Sequence, residues 1–227
     1  MNWLSNSLNT MSLSEECEEY LLRRGVKRTS FEKMGEVTWT KLEKPCPNSF
    51  FKSKYGEYGE RLCDMLTCPL YSPKGEIIGF EARDIYEKKM TRFLLPKAEW
   101  NAVWIAHKDS VEKIWKGCTV WIVEGRFDLY SMEWVVPPTD VVLCSLRASL
   151  TPYHIDYLQR LKPLQVNMVY DQDETGKKGS FFAQKKLNSV YIPCEIINFV
   201  GGKDPNEIWS KGGLPLLQKS FRHSILL

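Results

Sequence analysis

The chain has 227 residues, with 31 lysines and arginines against 28 aspartates and glutamates, so its formal net charge is +3. Eight Trp, ten Tyr and ten Phe supply enough large apolar side chains for a core, which excludes a generally disordered chain. The apolar stretches fall far short of the roughly 20 residues that cross a bilayer. The N-terminus has neither the basic start nor the apolar core of a secretory leader, so we expect no membrane partner and a cytoplasmic location.

The first half of the chain combines one helix with extended segments. Residues 14–25 predict a short helix, with Ser14 as its N-cap, acidic residues in its first turn and Gly25 at its end. The stretch 66–85 predicts a β-hairpin because two apolar runs flank the turn sequence SPKG, and residues 90–96 predict a further strand. We therefore expect a mixed α+β subdomain here.

Strands and helices alternate in the second half of the chain. Apolar runs predict four strands, at residues 118–123, 140–146, 166–170 and 190–199. Helical spacing of apolar residues predicts helices between them, at 127–134, 152–161 and about 176–187. Such alternation is typical of an α/β fold, with a parallel sheet flanked by helices.

The cysteines favour buried thiols over a disulfide framework or a zinc site. There are seven, an odd number, and only Cys63 and Cys68 lie close together in sequence. No second pair follows at zinc-finger spacing, and the three histidines are isolated. We therefore expect no zinc in this chain.

Acidic residues follow three of the four predicted strands. Because the carboxyl ends of parallel strands meet at one edge of a sheet, these acids are expected to converge. A plainer explanation is that single acids cap helices, which applies most readily to Asp128 and Glu207. The acids in question are Glu124, Asp128, Asp171, Asp173, Asp204 and Glu207.

Carboxylates gathered this closely repel one another unless cations are present. Mg²⁺ prefers oxygen ligands and often bridges carboxylates to substrate phosphates, and Mn²⁺ accepts the same oxygens. Two such ions can activate an attacking hydroxyl and stabilise a pyrophosphate leaving group. The pattern therefore predicts a site for Mg²⁺ or Mn²⁺ at this edge of the sheet.

Three segments resemble the TOPRIM signature, namely EGRFD (124–128), YDQDETGKKG (170–179) and GGKDPNE (201–207). Four others are similar to segments of DnaG-type primases: SEECEEYLLRRGV (14–26), LTCPLYSPKGEIIGFEARDI (66–85), RFLLPKAEW (92–100) and SLRASLTPYHIDYL (145–158). The matches run collinearly from about residue 14 to 210. The chain thus resembles the RNA-polymerase catalytic core of a DnaG-type TOPRIM primase.

This resemblance implies roles for the acids. Glu124 is implied to be a metal ligand or a general base, and Asp171 and Asp173 the main metal ligands. Asp128 is implied to support catalysis and Asp204 to support the metal. Asn206 departs from the pattern, since cellular primases often have Asp there, which leaves the number of metal ions open.

The resemblance also implies basic contacts to nucleotide or template phosphates. Arg83 follows the GF turn as in the family, and Arg92 stands where the family usually has Lys, whose geometry differs. Lys52 and Lys54 alternate with aromatic residues that can stack on bases, although a loop with buried Phe and solvated lysines is the favoured explanation. Lys177 faces either a triphosphate or solvent.

The implied organisation is a primase subdomain for template and nucleotide binding at 1–117, a TOPRIM-type catalytic subdomain at 118–205 and a short tail at 206–227. A zinc-binding module and a helicase module are missing from the matched motifs. The resemblance therefore implies a reduced, phage-like core in a bacterium or a phage-infected cell. We expect a separate replicative helicase as a partner, with a zinc-binding subunit as a further option.

The implied function is that of a DNA primase, which makes short RNA primers from NTPs on a single-stranded DNA template. A TOPRIM nuclease is the first alternative, because it uses the same acids to hydrolyse a phosphodiester. A non-catalytic subunit that binds single-stranded DNA is the second alternative. A topoisomerase is disfavoured, because it needs a separate tyrosine domain.

Overall fold

The computed structural model describes residues 13–33, 35–37, 65–71, 77–86, 90–94, 104–106 and 110–222. The chain forms two compact units. The first comprises residues 1–22, 27–70 and 77–98, and the second comprises residues 23–26, 71–76 and 99–227.

The first unit contains a four-stranded sheet in the order β1-β2-β3-β4. Helix α1 begins where the Cys17 backbone N–H donates to Ser14 Oγ at 3.3 Å, which confirms the predicted N-cap. Strands β2 and β3 are neighbours, as the predicted hairpin requires, and β4 pairs antiparallel with β3. The elements are α1 (Glu15–Arg23), a 3-10 helix (Arg28–Lys33), β1 (Gly35–Val37), β2 (Met65–Tyr71), β3 (Ile77–Arg83) and β4 (Met90–Leu94).

The second unit contains four parallel strands in the order β6-β5-β7-β8, which confirms the predicted parallel sheet. Along the described part of the chain, no helix combines the length and apolar character needed to cross a membrane. The elements are α2 (Ser110–Trp115), β5 (Thr119–Val123), α3 (Arg126–Met132), β6 (Val141–Cys144), α4 (Pro152–Leu161), β7 (Gln165–Val169), α5 (Glu174–Ser189), β8 (Cys194–Ile196) and α6 (Pro205–Phe221).

The core of the second unit lies between the sheet and three of its helices. Ile122 of β5 and Met168 of β7 pack in one cluster with Ile114 of α2, Leu158 of α4 and Leu187 of α5. The strand side chains from 120 to 123 are all buried, as expected for a central strand that is covered on both faces. Helices α3 and α6 pack against each other.

Residues 99–117 belong to the second unit, whereas the sequence analysis assigned them to the N-terminal subdomain. The physical reason is that residues of this segment pair with the end of β6 and are buried in the second unit. Ile105 exchanges two backbone hydrogen bonds of 2.9 Å with Cys144, at the end of β6. Trp104 and Ile114 are buried in the core of this unit.

The last strand and the C-terminal region also differ from the sequence analysis. The strand predicted over 190–199 is confined to β8, because α5 continues to Ser189 and the chain turns at Tyr191, whose φ is +61°. Residues 206–227 were expected to form a tail, but most of them form α6. The burial of Ile208, Leu217 and Phe221 explains why this segment is helical and packed.

The cysteines are buried thiols, as predicted, in the part of the chain that the structure describes. Cys46 and Cys63 lie outside the described residues. The free and buried cysteines are Cys17, Cys68, Cys118, Cys144 and Cys194.

Candidate active site

Five acidic residues lie at the carboxyl edge of the parallel sheet. The strands end level with one another there, because Val123 is in register with both Cys144 and Val169. The acids are Glu124 directly after β5, Asp128 in the first turn of α3, Asp171 and Asp173 after β7, and Asp204 at the start of α6.

Two of these acids cap helices while belonging to the cluster. Asp173 Oδ1 accepts the backbone N–H of Gly176 at 2.9 Å at the start of α5. Asp204 Oδ1 accepts the backbone N–H of Glu207 at 2.6 Å at the start of α6. The hydrogen bond from the Gly176 backbone N–H and the contact with Lys203 hold the pKa of Asp173 below its usual range. The capping explanation therefore accounts for the local position of these acids, but not for their proximity to the others.

The surroundings of Glu124 disfavour the ionised form of its carboxyl group. Burial is the main cause that raises its pKa to about 7, and the charges of Asp171 and Asp173 raise it further. Lys203 acts in the opposite direction. Burial likewise raises the pKa of Asp171, although Lys203 partly offsets it. Glu124 is thus partly protonated near neutral pH, and a cation that binds here would displace that proton.

Asp128 occupies a structural position at the start of α3, as the capping explanation predicts for it. Its side chain is buried and accepts the backbone N–H groups of Gly125 and Asn206, both at 3.1 Å. Burial and the charge of the neighbouring Asp204 raise its pKa well above the usual range. Asp128 therefore holds the turn after β5 and joins α3 to the start of α6.

Lys203 is the cation in contact with the acids, and sequence reasoning did not single it out. Its Nζ lies 2.9 Å from Asp171 Oδ2 and 3.0 Å from Asp173 Oδ2. Hydrogen bonds from Nζ to these two carboxylates raise the pKa of Lys203. The available signal was its position directly before Asp204 in the third acidic motif.

The donor chemistry of this edge fits a hard divalent cation. Glu124, Asp171 and Asp173 offer carboxylate oxygens, and the pKa values of the first two are raised mainly by burial, with a smaller contribution from the neighbouring carboxylates. Across the described ranges, no three His, Cys, Asp or Glu side chains form a ready-made metal centre.

The predicted basic residues are distributed over both units. Arg83 is the last residue of β3, and Arg92 lies in β4 in register with Glu81, all within the first unit. Lys177 is exposed on α5. Lys52 and Lys54 lie outside the described residues.

A family model described as Toprim-like matches residues 121–209, which contain all five acids and Lys203. We refer to residues 121–209 by this description, as the Toprim-like domain. The DNA primase of Helicobacter pylori is 24% identical over 166 residues, which cover 72% of this chain and 29% of the relative. The DNA primase of Clostridium acetobutylicum is 25% identical over 239 residues, which cover 93% of this chain and 38% of the relative. The chain thus spans less than two fifths of the length of these curated relatives.

The fold is similar to a solved primase domain. The crystal structure of the RNA polymerase domain of Mycobacterium tuberculosis primase DnaG superposes with a TM-score of 0.71 at 20% identity, covering 97% of this chain and 80% of that one. The chain has the fold of a DnaG catalytic core. This finding confirms the resemblance that the motifs indicated, and it confirms the predicted fold class.

Asn206 of the Toprim-like domain is a buried structural residue, which explains the departure from Asp in the sequence pattern. Its Nδ2 donates to the backbone carbonyl of Arg24 at 2.6 Å and to Ser131 Oγ at 2.8 Å. The backbone carbonyl of Phe127 is a third acceptor, at 3.3 Å. An Asp carboxylate has no proton to donate to these acceptors when ionised. This position therefore suits an amide.

We expect Asn206→Asp to destabilise the Toprim-like domain by about 2–4 kcal/mol, because a buried carboxylate would face carbonyl oxygens. The measurement is the midpoint of urea unfolding. Asn188→Asp is the matched control, since Asn188 uses its side-chain oxygen to accept the backbone N–H of Cys194 at 3.1 Å, which Asp can also accept. Equal midpoints for the two variants would contradict the structural role of the Asn206 amide.

Proposed function

We propose that this chain is the catalytic core of a DNA primase, which synthesises short RNA primers from NTPs on single-stranded DNA. One observation carries the proposal: Glu124, Asp171 and Asp173 converge at the carboxyl edge of a Toprim-like domain, within a chain that has the fold of a DnaG catalytic core. The primase relatives support the same function.

In this proposal the 3′-hydroxyl of the primer attacks the α-phosphate of the incoming NTP and pyrophosphate leaves. A bound Mg²⁺ or Mn²⁺ would stabilise the phosphate charge and activate the hydroxyl. Asp171 and Asp173 are the ligands that would hold the ion, and Glu124 is either a further ligand or the general base. A pKa of about 7 for Glu124 suits a base that accepts a proton near neutral pH.

Asp128 and Asp204 act as positioning residues in this proposal. Asp204 caps α6 and Asp128 binds the first turn of that helix, so the two keep the third acidic motif against the turn after β5. Asp204 is also proposed as an outer metal ligand.

Basic side chains are proposed to bind the phosphates of the template or the nucleotide. They are Lys52, Lys54, Arg83, Arg92 and Lys177. A separate replicative helicase and, as a further option, a zinc-binding subunit are proposed partners, because the bacteriophage T7 neighbour is a fragment of a primase-helicase protein and the Aquifex aeolicus neighbour includes a zinc-binding domain. A phage origin remains a prediction.

The test is incorporation of labelled NTPs on mixed-sequence single-stranded DNA with Mg²⁺ or Mn²⁺, with candidate helicase and zinc-binding partners added in parallel reactions. We expect short RNA products from the wild type and a loss of at least about 100-fold in Asp171→Asn. The Asn variant should remain folded, because burial already disfavours the Asp171 carboxylate. The matched control is Asp156→Asn, at an exposed ion pair with Arg160 on α4.

Other outcomes would reject the proposal. Metal-dependent cleavage of nucleic acid without NTPs, and without RNA products, would indicate a nuclease. Tight binding to single-stranded DNA with no synthesis under any condition would indicate an accessory subunit. Equal synthesis by wild type and Asp171→Asn would reject the role of that carboxylate.

A further inference from the structure

The backbone of Lys203 is anchored on both sides. Its carbonyl accepts the backbone N–H of Gln172 at 2.7 Å, so it is joined to the segment between Asp171 and Asp173. Its own N–H donates to Glu207 Oε2 at 2.5 Å. These bonds place the lysine stem at a defined point beside the two aspartates, while 52% of the side chain stays exposed to solvent.

The Lys203 ammonium contacts the two carboxylates that a metal ion would need as ligands. Nζ contacts Oδ2 of Asp171 and Oδ2 of Asp173, at 2.9 and 3.0 Å. A hard divalent ion held by these two carboxylates would take oxygens from the same pair. The ammonium and the divalent ion therefore cannot both occupy the space between the two aspartates.

We propose that Lys203 is a built-in counter-ion that competes with the divalent cation for Asp171 and Asp173, and that the displaced lysine binds a phosphate of the incoming nucleotide. The competition between Lys203 and the divalent cation is inferred from the geometry of the site alone. The phosphate contact rests on the proposed function. An exposed lysine tail on an anchored backbone is able to make both contacts in turn, because its four-carbon stem is flexible.

This arrangement couples metal binding to nucleotide binding. Without metal, the ammonium supplies positive charge to carboxylates that otherwise repel one another, which stabilises the free protein but weakens its hold on metal. A nucleotide phosphate that attracts Nζ away frees the carboxylate oxygens. By linkage, metal and nucleotide each raise the affinity of the other.

The test begins with Mn²⁺ alone, titrated into the full chain and followed by electron paramagnetic resonance of the free ion. We expect Lys203→Met to bind Mn²⁺ about tenfold more tightly than the wild type, because two ion pairs no longer compete. Lys203→Arg should stay near the wild type, since it keeps the charge. The matched control is Lys178→Met, which removes a lysine that is 67% exposed and pairs with Glu174 at 2.6 Å.

The second measurement is the affinity of a fluorescent ATP analogue at saturating Mn²⁺. We expect Lys203→Met to bind the analogue several-fold more weakly, so that the variant gains metal affinity and loses nucleotide affinity. A lysine that only stabilises the fold is not expected to change the metal affinity and the nucleotide affinity in opposite directions. Circular dichroism checks that each variant is folded.

Several results would overturn the inference. Equal or weaker Mn²⁺ binding by Lys203→Met would reject the competition, and so would an equal gain in Lys178→Met, which would indicate a general charge effect. Unchanged analogue affinity would reject the phosphate contact. If no primers are made but the Mn²⁺ shift is observed, the proposed function fails while the counter-ion role stands.

Discussion

Glu124→Gln is expected to abolish primer synthesis while raising the melting temperature of the metal-free protein. Activity is lost because a neutral amide is neither a strong ligand for a hard cation nor a base. Stability rises because the fold disfavours the Glu124 carboxylate, whose pKa is raised to about 7 from the usual 4.5. After allowance for solvent screening, the relief is on the order of 1–2 kcal/mol, or roughly 3–6 °C in melting temperature.

The pH dependence of this difference follows from the direction of the pKa shift. The folded protein holds the Glu124 proton more tightly than the unfolded chain, so wild-type stability falls as the pH rises from 4.5 to about 7. Glu124→Gln has no carboxyl group to ionise at this position, so its stability does not fall for this reason. The gain in melting temperature should therefore be absent near pH 4 and complete above about pH 7.

The measurement is thermal unfolding in a metal-chelating buffer across this pH range, beside a primer-synthesis assay. Glu112→Gln is the matched control, because Glu112 of α2 is 69% exposed and pairs with Lys116, which directly follows that helix. The control should change neither quantity appreciably. A lower melting temperature for Glu124→Gln at neutral pH would show that the Glu124 carboxylate stabilises the fold, contrary to this prediction.

Gly179→Ala is expected to be the most damaging small substitution in the Toprim-like domain. A Cβ atom at Gly179 would lie 1.8 Å from the backbone oxygen of Ala148, and one at Gly176 would lie 2.1 Å from the backbone oxygen of Asp171. Both distances are far below van der Waals contact, and both partners are backbone atoms. Helix α5 must therefore shift, taking its cap Asp173 with it.

The expected cost is about 2–3 kcal/mol after the gain in helix propensity from Gly to Ala, together with a large loss of primer synthesis. Urea unfolding measures the first and the primer assay the second. Lys185→Ala on the exposed side of α5 serves as the control, since it adds no atom to a packed surface. A stability gain in Gly179→Ala would mean that α5 does not need this close approach.

The acids were predictable in position, though their roles were not. Strand ends at Val123 and Val169 follow from apolar runs that break at Glu124 and Tyr170–Asp171, and parallel register brings those ends together. A helix-capping role applies to Asp128 more readily than to the other four acids of the cluster, yet the sequence does not show its burial. Its burial and its bond to the backbone of Asn206, 78 residues away, separate it from them.

Elements whose signals are local can be predicted from the amino-acid sequence alone. Thr151 and Pro152 mark the start of α4, which spans the predicted residues, and the apolar run at 119–123 specifies a buried strand. Propensity, capping and periodicity act within a few residues, so they can be read from the chain directly.

The contacts that set the charge balance of the site depend on the three-dimensional fold. Lys203 meets Asp171 and Asp173 across about 30 residues of sequence, and Asn206 meets the carbonyl of Arg24 across 182. Distance in space, burial and mutual repulsion set the pKa of Glu124, and none of these is a property of neighbouring residues in the chain. Electrostatic interactions depend on where the fold places each charge, so they appear only once the sheet has brought its carboxyl edge together.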